Sequence, residues 1–220
     1  MTRAVLIRVV ATVVVVVFAA ASLLAGLGTP GLGWLDLFSI AVLIASGLVW
    51  LWEVFLWKLQ VVQQFGLVPL DVSGTWQGTL ASLWKDAQTG ASPAPRTAYL
   101  VVRQTASSVS AVLLTDESKS VSSLAAVSTA LDSPALNYLY LNRPDPRFED
   151  RSRMHHGSSS LDISGRPATR LRGRYWTDRD SRGELDFTQR NKHAADDYAQ
   201  ASSLFAPPKS LKQRHRTPHH

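Results

Sequence analysis

Arg170-Leu171-Arg172-Gly173-Arg174-Tyr175-Trp176-Thr177-Asp178-Arg179-Asp180-Ser181-Arg182-Gly183-Glu184-Leu185-Asp186-Phe187-Thr188 is the stretch whose reading decides the fold. Leu171, Gly173, Tyr175 and Thr177 alternate with Arg170, Arg172, Arg174 and Trp176. Leu185 and Phe187 alternate in the same way with Glu184, Asp186 and Thr188. A period of two marks a half-buried strand, because successive side chains leave a pleated chain on opposite faces. Asp180-Ser181-Arg182-Gly183 between the runs is turn chemistry, so the segment reads as an antiparallel hairpin with one face on a core.

The same pattern extends upstream. Strands are predicted over about 74–84, 97–104, 107–115, 119–130, 136–142, 156–164, 169–177 and 183–190, rich in Ser, Thr, Val, Tyr and Leu. Turn-forming segments separate them, among them Thr89 to Pro95, Asp132-Ser133-Pro134, Arg143-Pro144-Asp145-Pro146 and Ser164-Gly165. Short, evenly spaced strands with no intervening helix predict an antiparallel meander. Eight of them close into a small barrel whose interior is filled or holds one small ligand. Arg143 to His155 is the longest polar connection.

Two apolar runs precede the barrel, Ala4 to Leu27 and Trp34 to Trp57, joined by the uncharged Gly28-Thr29-Pro30-Gly31-Leu32-Gly33. Each is long enough for a bilayer core, which takes ~20 apolar residues as helix. The chain therefore divides into a two-span hairpin (1–60), a β-barrel (68–190) and a basic tail (191–220), for which at most a short helix and then disorder are predicted. Arg3, Arg8 and Lys58 flank the spans and their turn carries no Lys or Arg, which predicts both termini and the barrel on the cytoplasmic side of the membrane. A cleaved signal peptide fits less well, because the first run outlasts an apolar region of ~7–15 residues and a second span follows at once. Ser22 and Gly26, and Ala41 and Ala45, are small residues at helical spacing that let helix backbones approach in lipid, although such residues are common in any membrane helix. Glu53, among Trp50, Trp52 and Trp57, reads either as a functional intramembrane carboxylate or as one that snorkels or pairs locally near Lys58.

The charge lies where a nucleic-acid surface would not need it. Residues 58–189 hold 15 basic and 13 acidic side chains, and residues from Arg190 onward hold 6 and 2, so most of the formal +6 belongs to the tail. That argues against DNA or RNA as partners of the folded domain, while the tail's Lys209, Lys212, Arg214 and Arg216 suit either solvent or an anionic leaflet. The absence of Cys excludes disulfides and thiolate metal sites. No G-x-S-x-G, P-loop or H-E-x-x-H is present, and adjacent His155 and His156 point to opposite faces of a strand, so neither catalysis, a metal nor a cofactor is predicted.

Binding chemistry is better represented. Tyr99, Tyr138, Tyr140, Tyr175 and Trp176 offer ring faces, and Arg170, Arg172, Arg174, Arg179 and Arg182 offer planar fork donors for phosphate. Arg170, Arg172 and Arg174 fit a solvated exterior paired with Glu184 and Asp186 better than a site. Tyr175, Thr177 and Arg179 are the stronger candidates, since Tyr175 lies on the apolar face and Arg179 enters the turn. Tyr140 and Arg182 complete the candidate ligand set.

The order of several motifs after the hairpin carries a resemblance. These are Val72-Ser73-Gly74-Thr75-Trp76-Gln77-Gly78-Thr79-Leu80, Arg103-Gln104-Thr105, the serine-rich 118–123, Leu139-Tyr140-Leu141-Asn142-Arg143-Pro144, His156-Gly157, and Leu171 to Arg179 followed by Gly183-Glu184-Leu185. The chain resembles the two-transmembrane β-barrel effectors of bacterial cyclic-oligonucleotide antiphage signalling (CBASS), which are associated with cGAS/DncV-like nucleotidyltransferases (CD-NTases). The resemblance implies a barrel that binds a cyclic di- or oligonucleotide made by the partner nucleotidyltransferase. Binding would drive homo-oligomerisation, and the assembled spans would disrupt the inner-membrane bilayer and abort infection. Two other readings stay open: a membrane-anchored, lipocalin-like barrel for an apolar ligand, and an adaptor holding a partner protein at the membrane.

Overall fold

A computed structural model describes residues 3–24, 32–66, 68–84, 90–128, 134–150 and 152–207. Two helices, α1 (Arg3–Leu24) and α2 (Leu32–Val54), lead through a 3-10 turn at Leu56–Lys58 and a short α3 (Gln60–Gln64) into eight strands. These are β1 (Gly74–Ser82), β2 (Arg96–Gln104), β3 (Val109–Leu114), β4 (Ser118–Val127), β5 (Ala135–Pro144), β6 (His155–Ser164), β7 (Arg170–Thr177) and β8 (Arg182–Asn191). Each strand pairs antiparallel with its neighbours and β8 returns to β1, which closes the predicted barrel. β3 starts two residues later than expected because Thr105 folds the approach into a turn, its N–H donating to the Ser108 carbonyl at 2.9 Å.

The lumen is filled rather than hollow. Trp76, Leu100, Leu136, Leu161, Leu171, Leu185 and Phe187 are fully buried within one cluster. Outward residues of β7 and β8 pair as the alternation implied. The Arg170 guanidinium grips both Asp186 oxygens, and Arg172 lies 3.8 Å from Glu184.

A second cluster sits outside the barrel. A helix, α4 (Tyr198–Phe205), is capped by the Asp197 carboxylate, which accepts from Gln200 N–H at 2.8 Å. It covers Tyr99, Val101 and Leu114 with Ala201, Tyr198, Leu204 and Phe205. Thr75 holds the approach from β8, donating to the His193 carbonyl at 2.6 Å and accepting from Ala195 N–H at 2.9 Å. The folded unit thus runs past β8 to α4, where the sequence predicted no more than a short helix. The rest of that basic tail, 208–220, lies outside the described residues.

α1 and α2 pack side by side, with Phe18 and Phe38 meeting edge to face at 5.6 Å and Ala41 and Ala45 buried. Ser22 is half-buried, its hydroxyl bonded to the Phe18 carbonyl of its own helix at 2.8 Å. Gly26 lies outside the described residues. Among the described residues Leu35–Lys58 is long and apolar enough to cross a bilayer by length and composition, and Arg8–Leu24 is a shorter apolar helical stretch.

Glu53 is paired with the barrel rather than with Lys58. Its carboxylate accepts from the Ser107 N–H and hydroxyl at 3.2 and 2.9 Å, and its carbonyl accepts from Ala106 N–H at 3.1 Å. The end of α2 is thereby fastened to the β2–β3 turn. Lys58 turns instead to Ser73, donating to its hydroxyl at 3.3 Å. Gln63 braces the same end, donating to the Trp57 and Pro69 carbonyls and accepting from Asp71 N–H, while Arg166 of the β6–β7 turn donates to the Gln63 carbonyl. The anchor end of the barrel is therefore fixed to the helices, and the opposite end faces away.

Candidate ligand site at the barrel mouth

At the end away from the helices the barrel opens into a cavity of about 410 Å³, whose lining includes Arg96, Ser118, Ser152, His155, Tyr175 and Arg179. The β7–β8 turn presents Arg179. Thr177 closes that turn, its N–H donating to the Ser181 carbonyl at 3.0 Å while its hydroxyl meets Ser181 Oγ at 2.6 Å. The same hydroxyl accepts from the N–H groups of Arg179 and Ser181 at 3.3 Å. Asp180 takes the left-handed conformation (φ 54°) that the turn needs, which short polar side chains tolerate. The Arg179 guanidinium donates to Ser152 Oγ at 3.4 Å and to the Arg153 carbonyl at 3.3 Å, both long bonds. It is lightly held, by a hydroxyl and a backbone carbonyl.

Beneath the mouth the lumen changes character. Tyr138 and Tyr140 on β5 and Tyr175 on β7 point inward, with the first two ring centroids 5.8 Å apart. Burial pushes the Tyr138 phenol up to about 12. Burial also raises Tyr140, helped by Tyr138, Tyr175 and Asp178, and raises Tyr175 against a bond from Ser82. All three are neutral donors at physiological pH. Two glycines make room for the rings: a Cβ at Gly157 would strike the Tyr140 phenol, and one at Gly183 would strike the Tyr175 ring and the Ala81 carbonyl. Gly183→Ala is accordingly expected to cost about 1–3 kcal/mol by overpacking. A urea titration followed by circular dichroism measures it, and an unchanged midpoint would show that the ring has room to move.

The five candidate ligand residues separate in space. Tyr175 and Arg179 share the mouth, and Tyr140 lies under it while also bordering an outer groove with Leu139, Gly157 and Trp176. Thr177 serves the turn that carries Arg179. Arg182 faces outward, paired with Trp176, on a shallow surface with Leu83 and Trp84. Arg96, Ser118, Ser152 and His155 were missed. Arg96 shares an inward parity with Ala98 and Leu100, the one signal that could have found it, and it is ion-paired with Glu117. Among the described residues no group of three or more His, Asp or Glu side chains is placed to hold a metal ion.

Comparison with known proteins places this architecture. CD-NTase-associated protein 15 of Staphylococcus schleiferi is 26% identical over 154 residues, which cover 70% of this chain and 79% of that protein. The model of the Cap15 cyclic dinucleotide receptor domain matches residues 68–189, more than half of the chain and nearly the whole barrel. The chain belongs to the Cap15 cyclic dinucleotide receptor domain family.

Proposed function

We propose that this protein is an antiphage effector whose barrel binds a cyclic dinucleotide in its mouth, then oligomerises and damages the inner membrane in which its helices sit. The observation that carries the reading is the pairing of the lightly held Arg179 with the Tyr175 ring at one opening of a filled barrel. A cyclic dinucleotide is a dianion with two π-faces, so it calls for a fork donor and aromatic surface in one concave site. The filled lumen supports this reading over an apolar carrier, which needs empty apolar space. Two membrane spans hold both termini in the cytoplasm, and a partner nucleotidyltransferase supplies the ligand that drives assembly. No catalytic role, cofactor or metal is assigned to the chain.

Glu53 supports a mechanical link, since the helix that it ends is bonded to a barrel turn. The test is dye entry into cells that produce this chain with or without a cyclic dinucleotide synthase. Wild type is expected to admit dye only with the synthase, and Arg179→Ala to admit far less at matched synthase expression. Ala45→Ile, which wedges a buried contact between α1 and α2, should bind nucleotide and still exclude dye. Dye entry by wild type without any synthase would remove the ligand from the mechanism.

A further inference from the structure

Asn142 lies on the inner face of β5, opposite Ser120 of β4 and His155 of β6, and is only 7% exposed. Its amide nitrogen donates to Ser118 Oγ at 3.1 Å and to Ser120 Oγ at 2.8 Å. The Thr115 hydroxyl donates to the Ser118 carbonyl, which leaves the Ser118 hydroxyl to donate to Thr115 and accept from Asn142. The amide orientation follows from that chain. Both amide protons are spent, and Oδ1 is buried with no hydrogen-bond partner among the described residues. Ser118 and His155, which bracket it, both line the mouth.

A buried orphan acceptor is costly unless something donates to it. Phosphate oxygens cannot, because they only accept, and a stacked ring face offers no proton. The outer edge of a nucleobase does offer one, as an amine or imino N–H. Tyr140, two residues earlier on the same strand face, and Tyr175 on β7 supply ring surface nearby. We infer that Asn142, in the layer directly beneath the residues lining the mouth, selects the base: a bound cyclic dinucleotide that displaces the side chains covering it places an N–H of its base edge on Oδ1. The inference rests on the nucleotide reading above and adds which chemical group decides among ligands.

The test is calorimetric titration of the full chain in lipid nanodiscs with cyclic di-AMP, cyclic di-GMP and cyclic di-UMP. Wild type should prefer one of the three by about tenfold or more, the range in which a buried polar group discriminates. Asn142→Leu should bring the three affinities to within about threefold of one another, because the acceptor is gone. Asn142→Asp keeps an acceptor in the same place, since the Ser118 and Ser120 hydroxyls can turn to donate. It should keep the wild-type ranking at lower overall affinity, because the added charge repels phosphate. An unchanged ranking in Asn142→Leu would overturn the inference and leave a purely structural amide, as would a wild type that binds all three alike. Should Asn142→Leu not fold, loss of the ranking in Asn142→Asp decides against it. A wild type that binds none of the three overturns the nucleotide reading first, and this inference with it.

Discussion

Arg179→Ala is expected to weaken cyclic dinucleotide binding by roughly 10- to 150-fold, the equivalent of about 1.5–3 kcal/mol for hydrogen bonds to a charged group. The reasoning starts from what Arg179 loses in the free protein, which is little. Its two bonds, at 3.4 and 3.3 Å, reach a hydroxyl and a backbone carbonyl rather than a carboxylate. Arg96, at the same opening, is already neutralised by Glu117, so its removal should cost less. Because Arg179 is exposed and outside the lumen, its loss should leave the unfolding midpoint of the free protein unchanged. Arg179→Lys should recover only part of the affinity, since an ammonium keeps the charge but not the planar fork. Full recovery by lysine would mean that the contact is a point charge.

Arg190→Ala is expected to destabilise the fold by about 3–5 kcal/mol, the cost of leaving a largely buried carboxylate without its partner. Arg190 joins the end of β8 to the entry of β1. Its guanidinium donates to the Asp71 carboxylate at 2.9 Å, to the Asp71 carbonyl at 3.0 Å and to the Ser73 carbonyl at 2.9 and 2.6 Å. It also lies over the Trp76 ring at 5.2 Å. Burial pushes the Asp71 carboxyl up, but the Ser73 bonds and the Arg190 charge outweigh it and hold the group below its ordinary value. A carboxyl lowered in the folded state stabilises fully above its unfolded pKa of about 4, and that contribution is lost as pH falls through the lower folded value. The melting temperature of wild type should therefore fall more steeply below about pH 4 than that of Asp71→Asn. Parallel acid limbs would show that the Asp71–Arg190 pair carries no net stability.

The strands were legible because each buries one face, and alternation such as Leu171-Gly173-Tyr175 records it directly. What alternation cannot give is height along the barrel axis. Tyr175 and Arg179 could be placed together because one turn joins them, but Arg96, Ser118 and His155 reach the same mouth only through closure of the sheet. Parity did carry information about Arg182, which falls on the face opposite Tyr175 across the hairpin. The seat of α4 was also written in the chain. Ala98-Tyr99-Leu100-Val101-Val102 is a continuous apolar run, the signature of a strand covered on both faces, and α4 is the outer cover. Glu53 was opaque for a different reason: its partner Ser107 lies 54 residues away in a turn, and no local pattern couples the two.

The central claim is that the mouth of this barrel is a cyclic dinucleotide receptor, and the most direct measurement is the thermal unfolding of the full chain in nanodiscs across a panel of cyclic di- and trinucleotides. A ligand that binds only the folded state stabilises it by RT ln(1 + [L]/Kd), about 2.7 kcal/mol at a hundredfold excess over Kd. At least one nucleotide should raise the melting temperature in proportion to the logarithm of its concentration, and Arg179→Ala should cut the rise by about half or more at the same concentrations. A flat response of wild type to the whole panel, or a rise that Arg179→Ala and Tyr175→Ala both retain in full, would contradict the account.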